Sequence, residues 1–285
     1  MKKLLAITLA AACGSAAAQT PAVNRMPDGS RDLYVGLGAV SAPRYDGARE
    51  RRVSALPVLQ LELSNGIFIS GMSAGMHLSS APSVEYGPLL ALQLRRSASG
   101  SASGIGGVDS ASFPGIVAQP PMVYRNAPPR QLEGIDPIGA RLQAGAFFNL
   151  YLSPRLRLTN NVLVGSGNDK KGATWSVAVQ RIAAEPALHH AVSISAGLTV
   201  ANRAHNDAFF GVAPAEAQRS GYAVYQAAGG IKDVHVGARW NWAMSPSWIV
   251  TSGLQASRLV GGAKDSPLLQ RPANVTVSTA LAFRF

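Results

Sequence analysis

The feature that most constrains this chain is how it ends. From Val275 onward, Val275, Val277, Thr279, Leu281, Phe283 and Phe285 fall on one side of an extended backbone, and Thr276, Ser278, Ala280, Ala282 and Arg284 fall on the other. That is the period-two alternation of a strand with two unlike faces. It recurs over 140–152, 190–200 and 234–242, and more weakly at about 31–40, 53–64, 66–78, 84–95, 154–165, 172–183 and 246–259. These segments are longer than the usual strand of a soluble protein and suit a tilted strand crossing a bilayer. The non-apolar side is built from Gly, Ser, Thr, Asn, Gln and Arg, which makes a poor dry core. A soluble sandwich with one solvated face also alternates, so the pattern alone leaves two architectures open. In a transmembrane barrel the apolar side meets lipid and the polar side meets the lumen, and the sheet must close because hydrocarbon offers no partner to an unpaired backbone group.

Turn chemistry and aromatic placement favour the barrel. Ser153-Pro154 and Ser245-Pro246 interrupt long strands briefly, with Ala81-Pro82 and Glu185-Pro186 in slightly longer interruptions, as expected of a residue that cannot donate to a ladder. Between them lie long polar connections near 96–137, 201–231 and 260–273, with a shorter one at 165–172. Short turns at one end and long loops at the other is the asymmetry of outer-membrane barrels, with the short turns periplasmic. Phe147, Phe148 and Tyr151 gather by one short turn and Trp240, Trp242 and Trp248 by another, where rings favour a membrane interface. Past the N-terminal segment no run of apolar residues is long enough for a membrane helix. The expected fold is therefore all-β: a closed antiparallel transmembrane β-barrel. Eleven segments can be marked, an odd number, so about twelve strands are expected with ten as the alternative. Asn65-Gly66 reads as a hairpin turn of undetermined side.

The N-terminus reads as an export signal: Lys2 and Lys3, the apolar run Leu4 to Ala12, then Ala16-Ala17-Ala18 before Gln19. Cleavage between Ala18 and Gln19 removes residues 1–18 together with Cys13, the single cysteine, so no disulfide framework remains. The alternative, a lipid-acylated Cys13, has a short preceding segment and Ala10 where leucine is usual. Residues 19–30 form a periplasmic segment in this reading and 31–285 the barrel. The strand ending in Phe283 and Phe285, with Leu281 before them, offers the barrel assembly machinery an alternating edge to pair with.

The candidates for chemistry are few. Gly36-x-Gly38 and Gly104 to Gly107 lack the strand–turn–helix context of a dinucleotide site. His77, His189, His190, His205 and His235 show no spacing for a metal, and no cofactor is expected. Asp233 and His235 share a strand face, with Ser257 or Ser252 on the next strand, so a hydrolase trio can be imagined; lumen residues on adjacent strands also produce such trios by chance. The formal charge is +11, with a patch at Arg44, Arg49, Arg51 and Arg52 and further cations at Arg95, Arg96, Lys170 and Lys171. An exported chain without basic–aromatic interleaving is not a nucleic-acid binder. Loop-end cations suit outer-membrane lipid and lipopolysaccharide, and some can bias a lumen against cations.

Several segments together resemble the MipA/OmpV family of outer-membrane proteins (MltA-interacting proteins). They are Val35 to Gly47, with Pro43, Tyr45 and Gly47, followed by Leu56-Pro57; Phe209 to Tyr222, with Phe210, Gly211, Ser220 and Gly221; Gly230 to Val234; Ser257 to Gly261 with Asp265 to Pro267; and the aromatic end. The Pro-rich stretch Phe113 to Pro129 departs from the pattern. The resemblance implies a monomeric outer-membrane barrel that is not an enzyme, and a scaffold role joining a lytic transglycosylase to a murein synthase. Short periplasmic turns offer little of the roughly 800 Å² per partner that a standard interface uses, which leaves residues 19–31 and the turns near 79–83 and 184–189 as contacts. The competing expectations are a narrow pore, from the polar lumen side, and the hydrolase.

Overall fold

The computed structural model describes residues 31–79, 81, 83–102, 104–108, 131–184 and 188–285. The expected signal peptide with its expected cleavage site at Ala18 and Gln19, the 19–30 segment and Phe113 to Pro129 lie outside the described residues.

The barrel strands are β1 (Arg31–Pro43), β2 (Arg51–Leu63), β3 (Ile67–Ser70), β4 (Ser73–Met76) and β5 (Val84–Gln93). A two-stranded hairpin, β6 (Arg96–Ser97) and β7 (Gly100–Ser101), follows outside the wall. The wall resumes with β8 (Arg141–Ser153), β9 (Leu156–Ser166), β10 (Gly172–Ala184), β11 (His190–Ala201), β12 (Gly230–Ala243), β13 (Trp248–Leu259) and β14 (Ala273–Arg284). Leaving out β6 and β7, these twelve strands form one closed barrel, with neighbours antiparallel throughout and β14 closing onto β1. The odd strand count is resolved at 66–78. That stretch is the short hairpin β3–β4, in which Ser70 pairs with Ser73 and the chain reverses at Gly71 and Met72. Four-residue strands are too short for periodicity to separate from one longer strand.

The exposure pattern follows the alternation. Leu37 and Val53 are exposed to about 60%, as are Val35, Val236, Val277, Leu281 and Trp248 to a lesser degree, whereas Ala280 and Ala282 between them are buried. A belt of outward apolar side chains around a closed sheet is the arrangement that hydrocarbon requires. Near the short turns the belt carries an aromatic cluster: His190 stacks with Trp240 and Trp242, and Trp248 meets Phe283 edge-on at 5.0 Å. Two rings expected there lie elsewhere. Phe147 and Tyr151 line a cavity inside the lumen, because Phe148 takes the outward position between them. Asn65-Gly66 belongs to the short-turn end, where Arg31 faces Leu63 and the Phe285 N–H donates to the Leu33 carbonyl.

At the opposite end the long connections fold into a lid. It contains α1 (Arg203–Phe210), α2 (Pro214–Ser220) and α3 (Gly261–Lys264). The Asn202 side chain caps α1 by accepting from the His205 N–H. Glu216 accepts from the backbone N–H of Ala213 at 2.7 Å and of Asp136 at 2.8 Å, which ties α2 to the 131–139 segment. Two apolar clusters hold the lid, one around Tyr45, Leu132, Val212 and Leu268 and one around Phe210, Ala227, Leu259 and Ala263.

Candidate functional site

Among the described residues, two polar chambers in the lumen lie on either side of an apolar waist. One part of the waist is the inward face of β1, β2 and β14: Val40, Ala42, Leu56, Val58, Ala280 and Ala282. Here both faces of the wall are apolar, a departure from the simple rule of polar inside and apolar outside. The reason is an insertion. Residues 104–108 run beside β2, where the Gly106 N–H donates to the Pro57 carbonyl and the Gly106 carbonyl accepts from Leu59. Val108 buries its side chain in that apolar cluster, worth about 2 kcal/mol against exposure. The segment also reaches β12, four strands away around the wall, where Arg239 donates to the Gly107 carbonyl and Asn241 to that of Val108. The other part of the waist is Phe68, Leu89, Ala91, Phe147 and Leu163.

On the short-turn side of the waist lies a cavity of about 510 Å³, lined by Glu62, Glu85, Asn149, Tyr151 and Arg157 among others. Glu85 accepts from the Tyr151 hydroxyl at 2.7 Å and from the Asn149 amide at 3.1 Å, and Arg157 donates to Tyr151. On the lid side lies a cavity of about 330 Å³, lined by Thr174, Ser176, Thr199, His205, Lys232, Asp233, His235 and Ser257 among others.

The second chamber holds the imagined hydrolase residues. His235 Nδ1 lies 3.0 Å from Asp233 Oδ1, and since a carboxylate only accepts, that nitrogen carries the proton. Asp233 also takes the Thr199 hydroxyl and the Lys232 ammonium, the latter at 3.0 Å. Lys232 escaped the sequence reading. A register shift opposite Thr199 and Val200 makes it the extra residue of a β-bulge, which turns two consecutive side chains, Lys232 and Asp233, inward. The same ammonium is 3.7 Å from Asp46 in the loop after β1, so the bulge joins wall to lid. A serine does not complete the trio. Ser257 is the register partner of His235 on β13, but His235 Nε2 lies against Gly197 on β11, so close that a Cβ there would be 2.8 Å away. Among the described residues this nitrogen has no hydrogen-bond partner. Ser252 is on the outer face, its hydroxyl 2.8 Å from that of Thr279. Among the described residues no cluster of three metal-ligating side chains occurs.

The residues that carried the family resemblance converge on the lid and the rim below it. Pro43 ends β1 at the lid-side chamber. The Tyr45 hydroxyl donates to the Leu268 carbonyl at 3.0 Å, and burial pushes its pKa up to about 12. Gly47 has φ +96°, a conformation that favours glycine, and a Cβ there would displace the Leu269 side chain, whose methyl lies 1.9 Å from its position. The buried Phe210 ends α1, its carbonyl accepting from the Ser266 hydroxyl at 2.6 Å, and the Gly211 N–H donates to Asp207. Ser220 bonds back to the Glu216 carbonyl, and Gly221 terminates α2. Three separate sequence boxes thus meet in one packed cap.

Arg96, which the sequence suggests as a loop-end cation, and His205, to which the sequence assigns no role, are both part of this cap. Arg96 is buried and donates to the carbonyls of Phe209 and Ala208, near the negative end of α1; burial lowers its pKa to about 10. His205 Nδ1 is 2.7 Å from the Ser166 hydroxyl. Burial first, and the Lys232 charge second, lower its pKa to about 3, so it is neutral at pH 7.

The family model of MltA-interacting protein MipA matches residues 35–285, nearly the whole chain. This chain belongs to the MipA family. Membership, the closed barrel and the outward apolar belt place it in the outer membrane. No curated protein matches in sequence. Solved structures with a similar trace include a bacterial polysaccharide outer membrane secretin (10% identity, 91% of this chain and 100% of that one, TM-score 0.43). They also include an outer membrane channel from Pseudomonas putida F1 (8%, 91% and 97%, 0.41) and the NanC porin (8%, 90% and 100%, 0.36). Likenesses this distant transfer none of those activities to the MipA-family chain.

Proposed function

We propose that this MipA-family barrel is a non-enzymatic anchor in the outer membrane that holds a lytic transglycosylase, together with a murein synthase, at the cell envelope. The short turns face the periplasm in this reading and the lid faces outward. The observation that carries it is the occupied lumen. A segment pinned to both β2 and β12, packed in an apolar waist and roofed by a lid, suits a barrel used for its surface and its place in the membrane. The family's description as MltA-interacting supplies the partner. The test is pull-down of a purified lytic transglycosylase by the detergent-extracted barrel. Enrichment is expected, reduced by deleting residues 19–30 and by altering the short turns. No enrichment by the intact chain overturns the proposal. The mature chain is expected to begin at Gln19, which intact-mass measurement checks.

The two polar chambers favour a second reading, a narrow pore that opens when residues 104–108 move. Planar-bilayer recordings separate the two. The anchor reading expects a folded, silent barrel, and sustained conductance supports the pore.

A further inference from the structure

The arginine patch at 44–52 is not one patch in the structure. Arg44 pairs with Glu50 at 2.9 Å, and Arg52 turns into the barrel to donate to the Ser101 carbonyl. Arg51, one residue away, has the opposite orientation and stands on the lipid-facing side at the lid end of β2. Its guanidinium reaches across β1: Nη1 donates to the Val275 carbonyl of β14 at 2.6 Å, and Nη2 to the Ser41 carbonyl at 2.9 Å. With Nε and Nη2 also on the Ser41 hydroxyl, at least one of its five N–H donors is left for an outside partner.

A second outward arginine waits at the same place. Arg258 is exposed on β13, on the face opposite lumen-lining Ser257, and pairs in register with Ala273, two residues along β14 from Val275. Strand spacing and rise put the Arg258 Cα ~8 Å from Val275, over which the Arg51 guanidinium lies. No carboxylate among the described residues forms an ion pair with either. Directly below, Val53, Val275, Val277 and Leu254 are exposed on the outer wall. Two unneutralised guanidinium groups at the upper edge of an apolar belt sit at the depth of lipid headgroups. The group that meets both demands is a phosphate carrying acyl chains: bidentate charge-assisted bonds above, hydrocarbon contact below.

We infer that Arg51 and Arg258 form a binding site on the outer wall for the phosphorylated headgroup of an outer-leaflet glycolipid. Arg51 is held in place for it by Ser41 and Val275, and the acyl chains lie along β13, β14, β1 and β2. The inference rests on the proposed orientation, with the lid outward. Sequence grouped Arg51 with neighbours that point elsewhere and gave no sign of Arg258.

The test is native mass spectrometry of the folded barrel in detergent with bis-phosphorylated lipid A, its monophosphoryl form and phosphatidylcholine as probes. Wild type should retain the bis-phosphorylated lipid at least tenfold better than phosphatidylcholine, with the monophosphoryl form between. The double variant Arg51→Gln, Arg258→Gln should lose that preference while still shifting on a heat-modifiability gel. Arg49→Gln, a neighbouring exposed arginine, should leave it unchanged. Equal retention by the double variant, or no preference for phosphate in wild type, overturns the site. An epitope inserted at Asn168 to Lys171 and probed on intact cells tests orientation separately. If it is inaccessible while the phosphate preference persists, the orientation fails and the phosphate-binding pair stands, facing the other leaflet.

Discussion

Two stretches of the barrel wall solve the problem of the lumen differently. Along β10, β11 and β12 only the outer face is apolar; inward stand Thr174, Ser176, Thr199, Asp233 and His235 around a polar cavity. Along β14, β1 and β2 both faces carry apolar residues, and Val108 from the segment 104–108, which pairs with β2, packs against the inner one. A polar inner face is therefore a property of the space it borders. Where the chain folds back into its own lumen, the wall there becomes an ordinary buried core.

The sharpest way to break this comparison is to place the same charge on both walls. Val58→Asp puts an unpaired carboxylate into a fully covered apolar cluster, a cost of more than about 4 kcal/mol. The folded band should vanish from a heat-modifiability gel. Thr174→Asp enters the polar chamber and should change stability by about 1 kcal/mol or less. Equal tolerance of both would mean that water reaches the β2 face.

Next in size is the seam where the barrel closes. Gly38 faces Ala280 across β1 and β14, and a Cβ there would lie 2.1 Å from the Thr279 carbonyl oxygen and 2.4 Å from the Ala280 methyl. Gly38→Val should cost about 3 kcal/mol by overpacking against backbone that cannot yield. Gly253→Ala, whose new methyl meets only the Ser278 hydroxyl at 3.1 Å, should be mild. Urea midpoints in detergent distinguish them.

The same contrast sets how much was readable from sequence. The wall strands over 140–152, 190–200, 234–242 and 275–285 alternate clearly because their inward residues border polar space or are small. The segments 31–40 and 53–64 alternate weakly because Val40, Leu56 and Val58 face an apolar insertion, which no local period reveals. The lid motif could be recognised as a pattern, yet its meaning, Tyr45 reaching Leu268 across 223 residues, is a tertiary fact. Lys232 was hidden by its bulge, since strict alternation sends it outward. Asp233 and His235 were found together, but the direction of His235 Nε2 depends on Gly197, a strand away.

A smaller effect tests the polar side through pH. His205 is held neutral, with a pKa near 3 in place of 6.5. Between those values the unfolded lid binds the proton and the folded lid does not. Lid stability is therefore full above pH 6.5 and falls as pH drops toward 3, by about 1.4 kcal/mol per unit. At pH 5 the loss is about 2 kcal/mol. Limited proteolysis within 202–229 should accelerate over that range, and His205→Gln should remove the dependence. A flat profile in wild type would mean that the lid admits water to α1.

The smallest expected effect asks which wall holds the inserted segment. Asn241 donates to the Val108 carbonyl at 3.2 Å and accepts the Thr251 hydroxyl at 2.7 Å. Asn241→Ala removes both bonds, worth about 1 kcal/mol. The two backbone bonds of Gly106 to β2 and the burial of Val108 remain. If the apolar wall is the anchor, the variant folds normally and stays silent in planar bilayers, with at most brief, rare openings. Sustained openings would show that the segment hangs from β12, and that the β2 face is apolar for some reason other than the insertion that covers it.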